Sequence, residues 1–95
     1  MIEYVNDFFT VVCGINTGGR STNVEVDIDG YNSIIIRNEG GSIVSVPSNA
    51  VVLYKYDKVE IKGKDNEICK GKLQIKFLNS FFGGRVVFIR KKFKK

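Results

Sequence analysis

Alternation is the feature that most restricts what this chain can become. Val24, Val26 and Ile28 are interleaved with Glu25, Asp27 and Asp29, and Leu73, Ile75 and Phe77 with Lys72, Gln74 and Lys76. In an extended strand, side chains two apart share a face, so each run offers one face to a core and one to water. A helix would scatter the same residues around its circumference. Such runs recur along the sequence, separated by clusters of glycine, asparagine and aspartate, and no stretch carries a convincing helical stripe. A short helix near residues 48–53 is the one helical option.

In chain order, residues 4–15 form a first strand with Phe9, Val11, Cys13 and Ile15 on one face and Phe8 and Val12 on the other. Asn16, Thr17, Gly18 and Gly19 compose a turn. A second strand, 24–29, has an acidic outer face. Asp29-Gly30 is the dipeptide of a two-residue type I′ hairpin, so the second strand is expected to pair with a third over 31–37. Residues 38–41 turn the chain again, and a fourth strand over 42–46 ends at Pro47, which cannot donate to a ladder. Residues 50–62 are less regular, with a bulge, bend or turn at Tyr56, Asp57 and Lys58. The strand over 68–77 is expected to form a hairpin with 85–93. The latter is apolar on both parities up to Arg90, the pattern of a strand covered on both sides. Residues 90–95 read as a basic tail.

Six to eight short strands at this turn spacing predict an all-β fold, a small antiparallel barrel or sandwich of OB-like or SH3-like architecture with little or no helix. The 95 residues suffice for one domain with one core. The two cysteines, Cys13 and Cys69, share parity with apolar neighbours and read as core thiols rather than a disulfide framework. The N-terminal residues lack the basic and apolar regions of a signal peptide, and no apolar run is long enough to be a transmembrane segment. The expectation is a cytoplasmic protein, or one of a host cytoplasm if viral.

Charge is unevenly placed. Residues 1–47 carry two basic and six acidic side chains, net −4, whereas residues 48–95 carry thirteen and four, net +9. Such asymmetry points to a charged partner. Lys70, Lys72 and Lys76 fall on one parity. If the strand around Val59 pairs with theirs, Lys58 and Lys62 join them, making a basic face that like-charge repulsion would disfavour without an anionic cover. Surface lysines also protect sheet edges, which is the ordinary reading of the same residues. Tyr54 and Tyr56 flank Lys55, and Phe81 and Phe82 sit in a loop beside Arg85. Aromatic rings next to cations are what a single-strand binder uses to stack bases and neutralise phosphates. Large aromatics in a loop equally serve as a plug that closes a barrel end.

The chain has no histidine, which removes the commonest general base and metal ligand. Residues 16–22 offer donors for a phosphate nest but lack the strand–loop–helix setting, and Asp27-Ile28-Asp29-Gly30 lacks the remaining ligands of a calcium loop. Neither a metal nor another cofactor is expected, and no enzymatic activity. The leading expectation is binding of single-stranded DNA or RNA by Lys58, Lys62, Lys70, Lys72, Lys76, Arg85, Arg90, Lys91 and Lys92, with Tyr54, Tyr56, Phe81 and Phe82 as aromatic contacts. The alternatives are a module or inhibitor, such as a phage or mobile-element protein, docking this basic face on an acidic protein, and a self-assembling homo-oligomer.

Overall fold

The computed structural model describes residues 4–15, 18, 20–63, 68–79, 81 and 83–93. Within them lie eight strands: β1 (Tyr4–Cys13), β2 (Thr22–Asp27), β3 (Ser33–Asn38), β4 (Ile43–Val46), β5 (Val51–Leu53), β6 (Lys58–Lys62), β7 (Lys72–Leu78) and β8 (Gly84–Phe93). The helical option near residues 48–53 resolves into one 3-10 turn, Pro47–Asn49, followed by β5. Two antiparallel sheets of four strands face each other, in the orders β1-β8-β3-β6 and β2-β7-β4-β5. The all-β antiparallel expectation is met at its upper strand count. The winding is that of a jelly roll, in which successive strands mostly alternate between sheets.

That winding corrects the local pairings drawn from turn chemistry. Asp29-Gly30 does not close a hairpin, because β2 and β3 lie in opposite sheets. The turn instead docks on the segment preceding β7: Ile28 N donates to Gly71 O at 3.1 Å, Gly30 N to Cys69 O at 3.0 Å, and Gly71 N to the Asp29 carboxylate at 3.0 Å. Likewise β7 pairs with β2 and β4 while β8 pairs with β1 and β3, so the last two strands form a crossover rather than a hairpin. A glycine-bearing turn reverses the chain in either case. What decides is burial: pairing β2 with β7 sets Val24 opposite Ile75 and Val26 opposite Leu73 on one inner face.

The basic tail is also revised. Arg90 to Phe93 complete β8, paired with β1 from Asp7↔Arg90 to Tyr4↔Phe93, and residues 94 and 95 lie outside the described ones.

Inward residues from both sheets make one core. Phe77, Phe88, Ile34, Ile36, Val44, Val46 and Val86 are fully buried, with Leu73, Ile75, Leu53 and Val26 beside them. Each such side chain contributes roughly 1.5–3 kcal/mol by leaving water. Phe9 and Phe88, opposite one another in the β1–β8 ladder, stack with ring centroids 4.9 Å apart. Among the described residues these inward side chains form one continuous core cluster between the sheets. Val87 and Ile89, on the other parity of β8, are half-buried on the outer face of the first sheet, next to exposed Phe8 and Val12. The expected cover on both sides of β8 is absent among the described residues.

Cys13 and Cys69 are both buried and free. They sit at opposite ends of the roll, Cys13 opposite Gly84 and Cys69 bonded through its amide to Tyr31 O, and burial pushes the Cys69 thiol above its ordinary pKa. Among the described residues no helix is long and apolar enough to cross a membrane.

Candidate nucleic-acid interface

One end of the roll is organised by two buried polar residues. Asn38 ends β3 with no exposed surface and Ser42 precedes β4. The Asn38 amide donates to Ser42 O and Leu53 O, each at 2.9 Å, and its Oδ1 accepts from Gly40 N at 3.0 Å. Its backbone carbonyl accepts from Tyr56 N at 2.7 Å and its backbone amide donates to Asp57 O at 3.0 Å. The Ser42 hydroxyl lies 2.7 Å from Gly83 O and 3.2 Å from Asn79 O. A buried polar group that is fully satisfied fixes its surroundings, because every alternative arrangement strands a donor or acceptor. Here it ties three connections together: β3–β4, β5–β6 and β7–β8.

Two of those connections present the aromatic residues singled out from the sequence. Residues 54–57 make a turn in which Asp57 N donates to Tyr54 O and the Asp57 carboxylate accepts from Tyr54 N, both at 2.9 Å. Tyr56 occupies its third position at φ 72°, where a turn ordinarily takes glycine. In the β7–β8 connection Asn79, at φ 53°, accepts from Phe81 N at 3.3 Å. Tyr54, Tyr56 and Phe81 are 59%, 66% and 44% exposed, so the described aromatics do not plug the barrel. Phe82 lies outside the described residues.

Cations surround this end. Lys55 Nζ is 5.3 Å from the Tyr56 ring centroid, within cation–π range. Lys58 opens β6 opposite Arg37, and Arg85 follows the β7–β8 connection. The Nε atoms of Arg37 and Arg85 are each 3.9 Å from the Glu39 carboxylate. Exposed pairs of that length are worth about 0–1 kcal/mol, so neither guanidinium is committed.

The remaining basic residues do not form the single face expected of paired β6 and β7. β6 pairs with β3, in the sheet opposite β7. Lys58, Lys62, Arg85 and Lys91 share the outer face of the first sheet by register, whereas Lys72 and Lys76 share that of the second, Lys72 standing 3.3 Å from Glu25. Lys62, Lys70 and Lys72 meet at the far end, where with Ser48 and Asn49 they line an open groove of about 430 Å³. Arg90 turns inward there. It ion-pairs with Asp7, donates to Asp27 O at 2.8 Å, and lies between the rings of Phe9 and Tyr31, 4.6 and 4.4 Å from their centroids. Lys92 Nζ approaches the same Tyr31 ring at 6.0 Å. Arg90 is therefore a structural cation and not a free ligand for phosphate.

Asn38 and Ser42 were not singled out from the sequence. The available signal was parity, since Asn38 continues the inward series Ile34, Ile36, but its place beside Glu39, Gly40 and Gly41 reads first as a turn. Among the described residues no group of three or more acidic or thiol side chains is placed to hold a metal ion.

No protein-family model matches the chain, and no curated protein sequence does. Solved structures do. A de novo designed double-stranded β-helix superposes with a TM-score of 0.50 at 15% identity, over 90% of this chain and 99% of that one. The Cupin_2 domain of an XRE family transcriptional regulator from Enterobacter cloacae superposes with a TM-score of 0.57 at 10% identity, over 95% of this chain and 83% of that one. At these identities the likeness is one of fold alone: two facing antiparallel sheets wound as a double-stranded β-helix.

Proposed function

We propose that the end of the roll carrying Tyr54, Tyr56 and Phe81 binds single-stranded DNA or RNA without catalysing a reaction on it. The observation that carries this reading is that three exposed aromatic side chains stand on two connections anchored to one buried Asn38–Ser42 network. Tyr56 is held at positive φ, which for a tyrosine costs of order 1–3 kcal/mol. A base stacked on such a ring is worth roughly 1–3 kcal/mol. Lys55, Lys58 and Arg85 supply phosphate contacts beside the rings, and Lys62 and Lys91 extend the cationic line along the outer face of the first sheet. Lys58 and Lys62 are about 13 Å apart along an extended strand, a span of about two nucleotides. Lys70, Lys72 and Lys76 are assigned a lesser part because they lie at the far end or on the other sheet.

The test is fluorescence anisotropy with labelled single-stranded and duplex oligonucleotides across a salt series. The reading expects preference for single strands, steep weakening with salt, and loss of binding on Phe81→Ala or Tyr56→Gly. Tyr56→Gly is the informative variant, because glycine relieves the positive φ and leaves the fold at least as stable. Weak binding to every oligonucleotide at low salt would overturn the reading, as would full binding by the Tyr56→Gly, Phe81→Ala double variant. The cationic rim of the first sheet would then belong to an acidic protein partner.

A further inference from the structure

The four sheet edges of this protein are not protected alike. β6 is five residues long and presents Lys58, Glu60 and Lys62; β5 is three residues long and follows Pro47; β2 presents Glu25 and Asp27 outward. Short length, proline and outward charge are the devices by which natural sheets keep their edges from pairing with other strands. β1 has none of them. It runs for ten residues, pairs one-to-one with β8 throughout without a bulge, and holds no lysine, arginine or proline. Its single charge, Asp7, is engaged by Arg90 and by the Tyr31 hydroxyl at 3.1 Å. Among the described residues its only strand partner is β8, which leaves its other edge open.

The outward face of β1 matches that edge. Phe8 is 65% and Val12 70% exposed, with Asn6 and Thr10 between and beside them. Phe8 stands opposite Ile89, and Ile89 opposite Ile35, so an apolar row crosses three strands and ends at β1.

We infer that the open edge of β1 pairs antiparallel with β1 of a second copy, about a two-fold axis at Phe8. This arrangement sets Phe8 against its own mate and Asn6 against Thr10, so no like charges oppose one another. The row Ile35–Ile89–Phe8 continues into its symmetry mate, and the two first sheets become one of eight strands. Such an isologous contact is self-limiting, since it consumes the edge that forms it. Charge favours a second copy as the occupant. The β1 edge is electrically neutral, whereas the cations on the outer face of this sheet project from other strands: Arg85 and Lys91 from β8, Arg37 from β3, and Lys58 and Lys62 from β6 at the opposite edge. Repulsion between the two basic copies is screened over about 8 Å at physiological salt.

The experiment is the solution mass of the full chain by sedimentation equilibrium, from low micromolar to near-millimolar concentration. The expected result is a concentration-dependent doubling that Phe8→Lys abolishes, because it places two cations face to face at the axis. Phe8 is exposed, so this variant is expected to retain the far-ultraviolet circular dichroism of the parent. Phe8→Cys gives an independent readout: opposed cysteines on adjacent antiparallel strands come close enough to cross-link under oxidation, giving a covalent dimer that reductant dissolves. A single mass at every concentration would overturn the inference and leave the edge to a strand of another protein. A doubled mass that survives Phe8→Lys would overturn it too, by placing the contact elsewhere.

Discussion

Arg90 lies directly opposite Asp7 in the β1–β8 ladder, and its guanidinium bonds that carboxylate while packing against the rings of Phe9 and Tyr31. A residue that the sequence places at the start of a basic tail is thus part of what closes the far end of the roll. Hydrogen bonds to charged groups are worth about 1.5–3 kcal/mol, so Arg90→Met is expected to lose about that much stability in urea denaturation. Arg90→Lys should recover little, because an ammonium supplies neither the planar fork nor the stacking surface. Arg85→Met should leave stability within about 0.5 kcal/mol of the parent, as exposed sites do. It should flatten the salt dependence of oligonucleotide binding by about 0.7 in log–log slope if Arg85 neutralises one phosphate. Arg90→Met should leave that slope unchanged.

Gly84 is required for space. A Cβ there would fall against the Phe77 ring, 2.6 Å from Cε1 and closer still to Cδ1, and 3.3 Å from Cys13 Cβ. Phe77 has no exposed surface and cannot swing away. Gly84→Ala is expected to cost about 1–3 kcal/mol by overpacking. Pairing it with Phe77→Leu should cost less than the two separate losses combined, since the smaller side chain makes room for the methyl group. A double-mutant cycle by chemical denaturation checks this, and strict additivity would refute the steric account.

Asn38→Leu keeps the branching of the side chain at Cγ, removes its polar atoms and adds bulk at a fully buried position. It leaves Ser42 O, Leu53 O and Gly40 N without their partner. Each buried group so stranded costs roughly 1–3 kcal/mol, which makes this among the most destabilising single changes available outside the aromatic core. Because the Tyr56 amide donates to the Asn38 carbonyl, its hydrogen exchange should accelerate more than that of amides in β7. Uniform acceleration across the chain would mean global destabilisation alone, with no specific loosening of the aromatic turn.

The strands themselves were legible because alternation is a local signal. Val24 to Ile28 and Leu73 to Phe77 needed only their own parity to show which side faces the core, whereas the all-isoleucine run 34–36 did not show that Ile35 faces outward. The winding was not legible, because Asp29-Gly30 and the glycines before Arg85 reverse the chain equally well within a sheet or between two. Only the distant partner, β7 for β2 and β1 with β3 for β8, settles which occurs. The site suffered from the same gap. The exposed tyrosines and Phe81 stood out by composition, but the grouping of lysines rested on a β6–β7 pairing that does not form. Arg90 could not be told from Lys91 until parity and the chain end placed one inside and one outside.

Tyr31 gives a prediction in pH. Its hydroxyl donates to Asp7 at 3.1 Å, and loss of water around it, then that hydrogen bond, raise its pKa above the ordinary 10.0, with Arg90 acting in the opposite sense. A raised value means that the folded state holds its proton where the unfolded chain has begun to release it. The unfolded state then binds fewer protons, so stability falls as pH rises. The contribution is fully present below pH 10 and is lost as pH climbs through the folded-state value. Tyr31→Phe cannot ionise, so above pH 10 its stability should decline less steeply than that of the parent, while below pH 10 it should be the less stable of the two by the missing hydrogen bond, about 0.5–1.5 kcal/mol. Urea midpoints measured on both proteins from neutral to alkaline pH check this, and parallel curves would show that Tyr31 is not the group responsible.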